Sequence, residues 1–245
     1  MSNLTNNLIK KCICDNTSDF SEKTENDIEL LECNICGVSH QILRNFTELD
    51  LDNFYTKQYH VDYQKKKNVI TYQDRYAHDR SISKIRLSAY QNFISPGTKG
   101  IDIGSSNSAF IHECLDSNID CIGLEPGESV GDPAVTIRGR LETVDLPKNQ
   151  FDFATLHDAV EHMIDPVFSL KKVFEILKPN GLIIVDLPDF YIPEGKHHWK
   201  PVEHLWYFTE EEFVDLLKIS GFDIIKIDRP IPGKLVFYGK GIMRL

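Results

Sequence analysis

The chain has 245 residues, with Lys+Arg 27 against Asp+Glu 37, a formal net charge of −10 and 41% hydrophobic residues. Such a composition buries a core and excludes global disorder, and its acidity argues against a protein that coats nucleic acid, whose phosphates call for a basic surface. No apolar run approaches the roughly 20 residues that span a bilayer, and MSNLTNNLIKK lacks the apolar stretch of a secretory signal. The expectation is a cytoplasmic protein with no membrane partner, whose six cysteines are thiols or metal ligands.

Three zones follow in order. Residues 1–50 hold Cys12, Cys14, Cys33 and Cys36, with a polar stretch between the pairs, DNTSDFSEKTEND, that reads as loop or turn. Cys33-Asn34-Ile35-Cys36-Gly37 is a metal knuckle by spacing; Cys12-Ile13-Cys14 is a shorter pair, and His40 or Asp15 is an alternative ligand beside it. One structural zinc is expected here, against a metal-free lobe. Residues 51–95 form a polar helical cap or linker, in which Tyr55, Tyr59 and Tyr63 share one helical face and Arg75, Arg80 and Arg86 are candidate diphosphate contacts.

From residue 96 to 245, short apolar runs alternate with amphipathic stretches. GIDIG, CIGLEP, AVTIRG, FDFATLHDAV and GLIIVDLP read as strands, and SAFIHECLDS as a helix. A second helix, PVFSLKKVFEILKPNG, places Val167, Leu170, Val173, Phe174 and Leu177 on one side and ends at Pro179-Asn180-Gly181. TEEEFVDLLKISG is a third, with Thr209 and Glu212 as a capping box and Gly221 as its stop. FDIIKIDRP and KLVFYGKG close the chain as strands. The alternation predicts an α/β fold with a mainly parallel sheet covered on both faces. Cys114 and Cys121 fall in apolar patterns and read as core thiols.

Two features suggest a nucleotide-type ligand. The first strand ends in Gly104-Ser105-Ser106-Asn107 and turns into a helix, which aims backbone amides at whatever binds there. About 20 residues on, the second strand ends in Glu125-Pro126, a carboxylate suited to a ribose diol.

Together with Phe151-Asp152 running to Glu161-His162 and with Leu177-Lys178-Pro179-Asn180-Gly181, these residues resemble the motifs of class I S-adenosylmethionine-dependent methyltransferases, over about residues 70–245. The resemblance implies a Rossmann-like sheet of seven strands with the last antiparallel, here carrying a small zinc-ribbon-like lobe and a helical cap. It also implies S-adenosylmethionine bound by Asp102, Gly104, Ser105, Ser106, Asn107 and Phe110, by Glu125 and Pro126 at the ribose, by Arg140 and Leu141 at the adenine, and by His157 near the methionine. Ser106 and Ser108 stand where the family often has glycine.

The cysteine lobe and the Tyr-rich segment after it resemble, more narrowly, bacterial sugar methyltransferases of capsule, O-antigen and antibiotic glycans, and Glu203-His204-Leu205-Trp206-Tyr207-Phe208-Thr209 resembles the stretch that sugar C-methyltransferases carry after strand five, a spot that often supplies a base in sugar O-methyltransferases. That likeness implies methyl transfer to a hydroxyl of a nucleotide-linked sugar, such as a heptose or deoxyhexose, for a surface polysaccharide. A hydroxyl acceptor needs a base, and histidine is poised for it near neutral pH. His204 is the first candidate, oriented by Glu203 or Asp158, with His198 on the loop YIPEGKHHWKP as another; His162 reads as structural. The rivals are C-methylation of a keto-sugar, with His204 or Tyr207 removing a carbon-bound proton, and a non-catalytic subunit of the same fold. A nucleic-acid methyltransferase is disfavoured by the charge and by His157-Asp158-Ala159-Val160, where such enzymes carry an Asn-Pro-Pro-Tyr-type tetrapeptide. The oligomeric state stays open.

Overall fold

From residue 99 onward strands are interleaved with helices, because the stretches Ala109–Asp116, Pro166–Ile176 and Glu210–Ile219 carry a hydrophobic side that faces back onto the sheet. The computed structural model describes residues 6–54, 72–127 and 131–242. Tyr55, Tyr59 and Tyr63, expected as one helical face, lie outside these residues.

Seven strands form the main sheet: β4 (Lys99–Ile103), β5 (Asp120–Glu125), β6 (Thr136–Arg138), β7 (Phe151–His157), β8 (Leu177–Pro188), β10 (Phe222–Asp228) and β11 (Lys234–Gly241), in the order β10-β11-β8-β7-β4-β5-β6. β11 runs antiparallel to both its neighbours, and β4 to β8 pair in parallel, as the sequence predicts. Three helices pack on this sheet: α3 (Ala109–Asp116), α4 (Pro166–Ile176) and α5 (Glu210–Ile219). Asp165 caps α4 by accepting from the Phe168 amide, with Pro166 at the first helical position, and the predicted Thr209–Glu212 capping box opens α5. The Pro179-Asn180-Gly181 stop lies elsewhere than predicted. α4 ends at Ile176, and the Pro-Asn-Gly turn, with Asn180 at φ 61°, interrupts β8 between its pairings Phe151↔Leu177 and Phe153↔Leu182. Proline at 179 drives Lys178 out of the helical region, so the helix stops early.

The N-terminal lobe contains strands that the polar sequence hides. β1 (Phe20–Glu25) and β2 (Ile28–Cys33) form a hairpin whose turn residues Asn26 and Asp27 have φ 47° and 62°, the left-handed pair that a two-residue hairpin needs. Of β1 only Phe20 is buried, so hydrophobic alternation could not betray it and the stretch reads as a loop. β3 (Ser39–Gln41) pairs with β2 on one side and with β9 (Trp206–Tyr207) on the other. The lobe is thus stitched to a strand that follows β8, and one buried cluster joins Leu8, Ile9 and Val38 to Leu156, Leu170 and Phe213. α1 (Glu48–Phe54) follows the lobe, and α2 (Tyr72–Tyr90) leads into β4.

Candidate functional site

The carboxyl ends of β4, β5, β7 and β8 converge on the turn after β4. There Gly104, Ser106 and Ser108 have φ 76°, 44° and 62°. Both serines at glycine-preferring positions therefore hold the left-handed conformation, which costs a residue with a Cβ roughly 1–2 kcal/mol. Ser108 offsets this with hydrogen bonds: its hydroxyl lies 2.9 Å from Thr136 Oγ1 and accepts from the Asp132 amide at 2.8 Å. At Gly104 a Cβ would add a tight contact, 3.2 Å from the Ala159 Cβ, to the same left-handed strain.

Glu125, at the tip of β5, accepts the Ser106 amide on Oε2 and the Gly127 amide on Oε1, each at 2.8 Å. Burial raises its pKa, partly countered by those two amides. Each oxygen keeps a second lone pair, so the carboxylate can hold the loop and still take ribose hydroxyls. Pro126 beside it is exposed, Arg140 lies 3.7 Å from Glu142, and Leu141 is buried. Asn107 donates to Asp79 at 2.7 Å, and Asp79 also takes Arg75 at 2.6 Å, so α2 reaches over the turn.

Asp102 and His157 lie deeper. Asp102 accepts from Thr155 Oγ1 at 2.7 Å and stands 3.1 Å from His157 Nδ1. The His157 ring is stacked on Tyr90 at 6.0 Å and meets Phe110 edge-on at 4.6 Å. These residues brace the turn from beneath.

α2 also corrects the expected diphosphate grip. Arg75 pairs with Asp79, Arg80 with Glu113 and Asp116, and Arg86 with Asp186 at 2.7 Å and Asp158 at 3.5 Å. Arg80 and Arg86 pin α2 to its neighbours, while the Arg75–Asp79 pair lies within α2 itself. Asp158, at φ 50° after β7, also holds Lys234 from β11. Asp158 is therefore committed to two cations and does not orient His204, contrary to expectation. Glu203 does not either: its carboxylate pairs with Lys200 at 2.8 Å, and its carbonyl accepts His162 Nδ1 at 2.7 Å.

The carboxylate that faces His204 is Glu161. Glu161 follows β7 in a short 3-10 turn, Val160–His162, and its carbonyl accepts the Leu205 amide at 2.8 Å, which sets His204 beside it. Ligand atoms of Glu161, His162 and His204 all lie within 4.8 Å of one another. Burial pushes the Glu161 carboxyl up to about 8 and the His162 ring down to about 4. His204 is 2% exposed, and burial, with His162 and Lys200 adding, holds its pKa well below the ordinary value. The ring first expected to take the acceptor's proton is therefore enclosed, with Phe190 and His162 against it. His198, half-buried and stacked over His204 at 6.4 Å and 13°, is the more open of the two. Tyr207, the rival base for C-methylation, is fully buried; its hydroxyl donates to the Lys200 carbonyl and burial raises its pKa.

Sequence reading missed Asp186 and Lys234, and took Glu161 only as a motif residue. The available signal was a charge inside an apolar pattern, Asp186 in LIIVDLP and Glu161 after DAV.

In the lobe, Cys12, Cys14, Cys33 and Cys36 place their sulfurs within 4.8 Å of one another, with 3.4 Å for Cys12–Cys36 and 3.6 Å for Cys14–Cys33. A tetrahedral zinc with bonds of about 2.3 Å separates its sulfurs by about 3.8 Å, so the set fits. Burial raises the Cys33 pKa, but Asn16, at 3.1 Å, and the amides of Cys36 and Ile35 outweigh it and bring it to about 7. Gly37, at φ 83°, gives the knuckle its turn. His40, the alternative ligand, lies instead between Phe20 and Trp206, and Asp15 pairs with Lys11.

Residues 72–227 match a family model described as a methyltransferase domain. No curated protein matches the chain. Among solved structures, a protein of Thermotoga maritima described as a SAM-dependent methyltransferase, possible histamine N-methyltransferase, is 21% identical with TM-score 0.52, covering 65% of this chain and 88% of its own. A SAM-dependent methyltransferase of Archaeoglobus fulgidus is 17% identical with TM-score 0.55, covering 66% and 94%. The [4+2]-cyclase SpnF is 13% identical with TM-score 0.54, covering 67% and 81%, so this fold also carries other reactions. No described helix is long and apolar enough to cross a membrane.

Proposed function

This chain belongs to the methyltransferase-domain family of the S-adenosylmethionine-dependent class, and we propose that it moves the methyl group to a hydroxyl of a nucleotide-linked sugar, such as a heptose or deoxyhexose, in the cytoplasm for a surface polysaccharide. The observation that carries the reading is the pair of stacked imidazoles, His198 over His204, on the loop at the carboxyl end of the sheet. Their loop continues into the Glu203–Thr209 stretch that resembles sugar methyltransferases.

The Gly104–Asn107 turn holds the methionine end of the cofactor, Glu125 the ribose hydroxyls, and Arg140 with Leu141 borders the adenine. When bound, the cofactor supplies an electrophilic methyl on a sulfonium. The chain's residues align the acceptor and receive its proton. His198 would take the proton of the acceptor hydroxyl, leaving its oxygen free to receive the methyl group that the bound cofactor would supply. His204 supports that ring from below. Cys12, Cys14, Cys33 and Cys36 hold one structural zinc, which keeps the lobe folded.

The test is calorimetric titration of S-adenosylmethionine, followed by incubation with a panel of nucleotide sugars and mass analysis for products one methyl heavier. His198→Ala is expected to keep cofactor affinity and lower turnover roughly 100-fold or more, as loss of a general base does. Unchanged turnover removes His198 from the reaction. A folded protein that binds no cofactor makes the non-catalytic subunit the better reading.

A further inference from the structure

Three polar side chains, Glu161, His162 and His204, converge at the turn after β7, and two of them lack donors. Glu161 is fully buried, and among the described residues neither carboxylate oxygen has a hydrogen-bond partner of ordinary geometry. His204 is 2% exposed, and its Nδ1 likewise has no partner. His162 Nε2 stands 3.9 Å from Glu161 Oε1. Leaving the Glu161 oxygens and His204 Nδ1 buried beside one another is unfavourable, because these atoms have lost their water without gaining a donor among the described residues. A cation between them removes that conflict.

The second nitrogen of the His162 ring is already placed: Nδ1 gives its proton to the Glu203 carbonyl at 2.7 Å. That is the outer-shell arrangement which sets the tautomer of a metal-bound histidine and turns its free nitrogen toward the ion. Asp186, also buried, leaves Oδ1 without a partner and acts electrostatically on Glu161, adding negative potential nearby.

We infer that Glu161, His162 and His204 form a second metal site, separate from the cysteine set, for a divalent first-row transition cation bound by two imidazoles and one carboxylate. This donor set suits manganese, iron, cobalt or zinc and leaves coordination positions open, whereas magnesium prefers all-oxygen surroundings. His162, with 21% of its side chain exposed, marks the open edge. The site is next to the cofactor turn, since Ala159, two residues before Glu161, faces Gly104. The inference deepens the proposed function and rests on that reading only for its role: a cation there would hold the acceptor hydroxyl and make it more acidic, while His198 takes the proton.

The experiment uses the full chain, purified with its cysteine site loaded with zinc, and titrates Mn2+ and Co2+ with neither cofactor nor acceptor present. One further equivalent of Co2+ is expected, with ligand-field bands but no thiolate charge-transfer band. Pulsed EPR of bound Mn2+ is expected to show two imidazole nitrogens. Glu161→Gln keeps the side-chain volume and is expected to weaken Mn2+ binding at least roughly 100-fold, because outer-shell changes alone weaken such sites by roughly 10–100-fold. His204→Gln is the second variant, and the wild-type spectra decide the matter even if both variants misfold. No added equivalent in the wild type, a cobalt spectrum of thiolate type alone, or wild-type affinity in Glu161→Gln each overturns the inference; the first would mean that a proton, not a metal, sits between the groups. Binding is read without acceptor, so a failed sugar assay leaves this result standing, and a failed titration leaves methyl transfer to be judged separately.

Discussion

In the cysteine lobe the Cys33 sulfur receives the Asn16 side chain and two backbone amides, whereas at the carboxyl end of the sheet the Glu161 carboxylate receives no hydrogen bond of ordinary geometry from the described residues. The lobe draws its four donors from residues 12 to 36, carried by a hairpin and the loop before it. The deeper pocket draws its three from residues 161, 162 and 204, brought together only when the turn after β7 meets the loop before β9. A site assembled from neighbours in the chain can be braced by local amides. One assembled across the sheet depends on the whole fold, and here its polar atoms remain under-satisfied.

The largest effect expected from breaking this contrast is at the lobe. Cys33→Ser combined with Cys36→Ser is expected to abolish zinc retention, read by elemental analysis, and to lower the melting temperature by more than about 10 °C. Zinc binding supplies on the order of 10 kcal/mol of folding energy in small zinc domains, and about 1 kcal/mol shifts a chain of this size by roughly 2–4 °C. An unchanged melt would mean that the shared core, not the metal, holds the lobe.

Next in size is the cofactor turn. Glu125→Ala removes the acceptor of two loop amides and the proposed ribose ligand, and charged hydrogen bonds are worth about 1.5–3 kcal/mol each. S-adenosylmethionine affinity is expected to fall roughly 100-fold by calorimetry, while zinc content stays the same. Equal affinity would remove Glu125 from the ribose site.

The smallest effect tests the seam between the two regions. His40 is fully buried between Phe20 and Trp206, and burial lowers its pKa from 6.5 to about 4. Between those values the unfolded chain binds the proton and the folded one does not, so stability rises with pH through the window and is lost as pH falls from about 6.5 to about 4. His40→Phe is expected to flatten that part of the pH–stability curve in denaturant titrations. A slope equal to the wild type's would assign the acid sensitivity to other groups.

Much of the main sheet was legible because its central strands carry buried apolar runs and α4 and α5 carry their own caps: β7, β8 and α5 stand where their patterns put them. β1 was not, because its place in the sheet rests on backbone pairing and one buried phenylalanine. The glycine turn and Glu125 were legible from spacing. The partners of His204 were not: Glu203 was favoured by adjacency in sequence, and nothing in the spacing separated Asp158 from Glu161. The folded chain spends Glu203 and Asp158 on Lys200, Lys234 and Arg86, and it brings Glu161 in from 43 positions away.

The pairing of β3 with β9 sets how the histidine loop is held. Its upstream end is anchored in the large sheet at Pro188 and its downstream end in the small one at Trp206, which lies opposite His40. Alternation along a strand means that a slip of one residue in this register would exchange the faces of Trp206 and Tyr207. It would also shift the chain at His204, two residues upstream. The lobe therefore serves as a length gauge for the loop: the span left between two clamped ends decides where the imidazoles stand, and an insertion in that span is expected to misplace them without touching the cofactor turn.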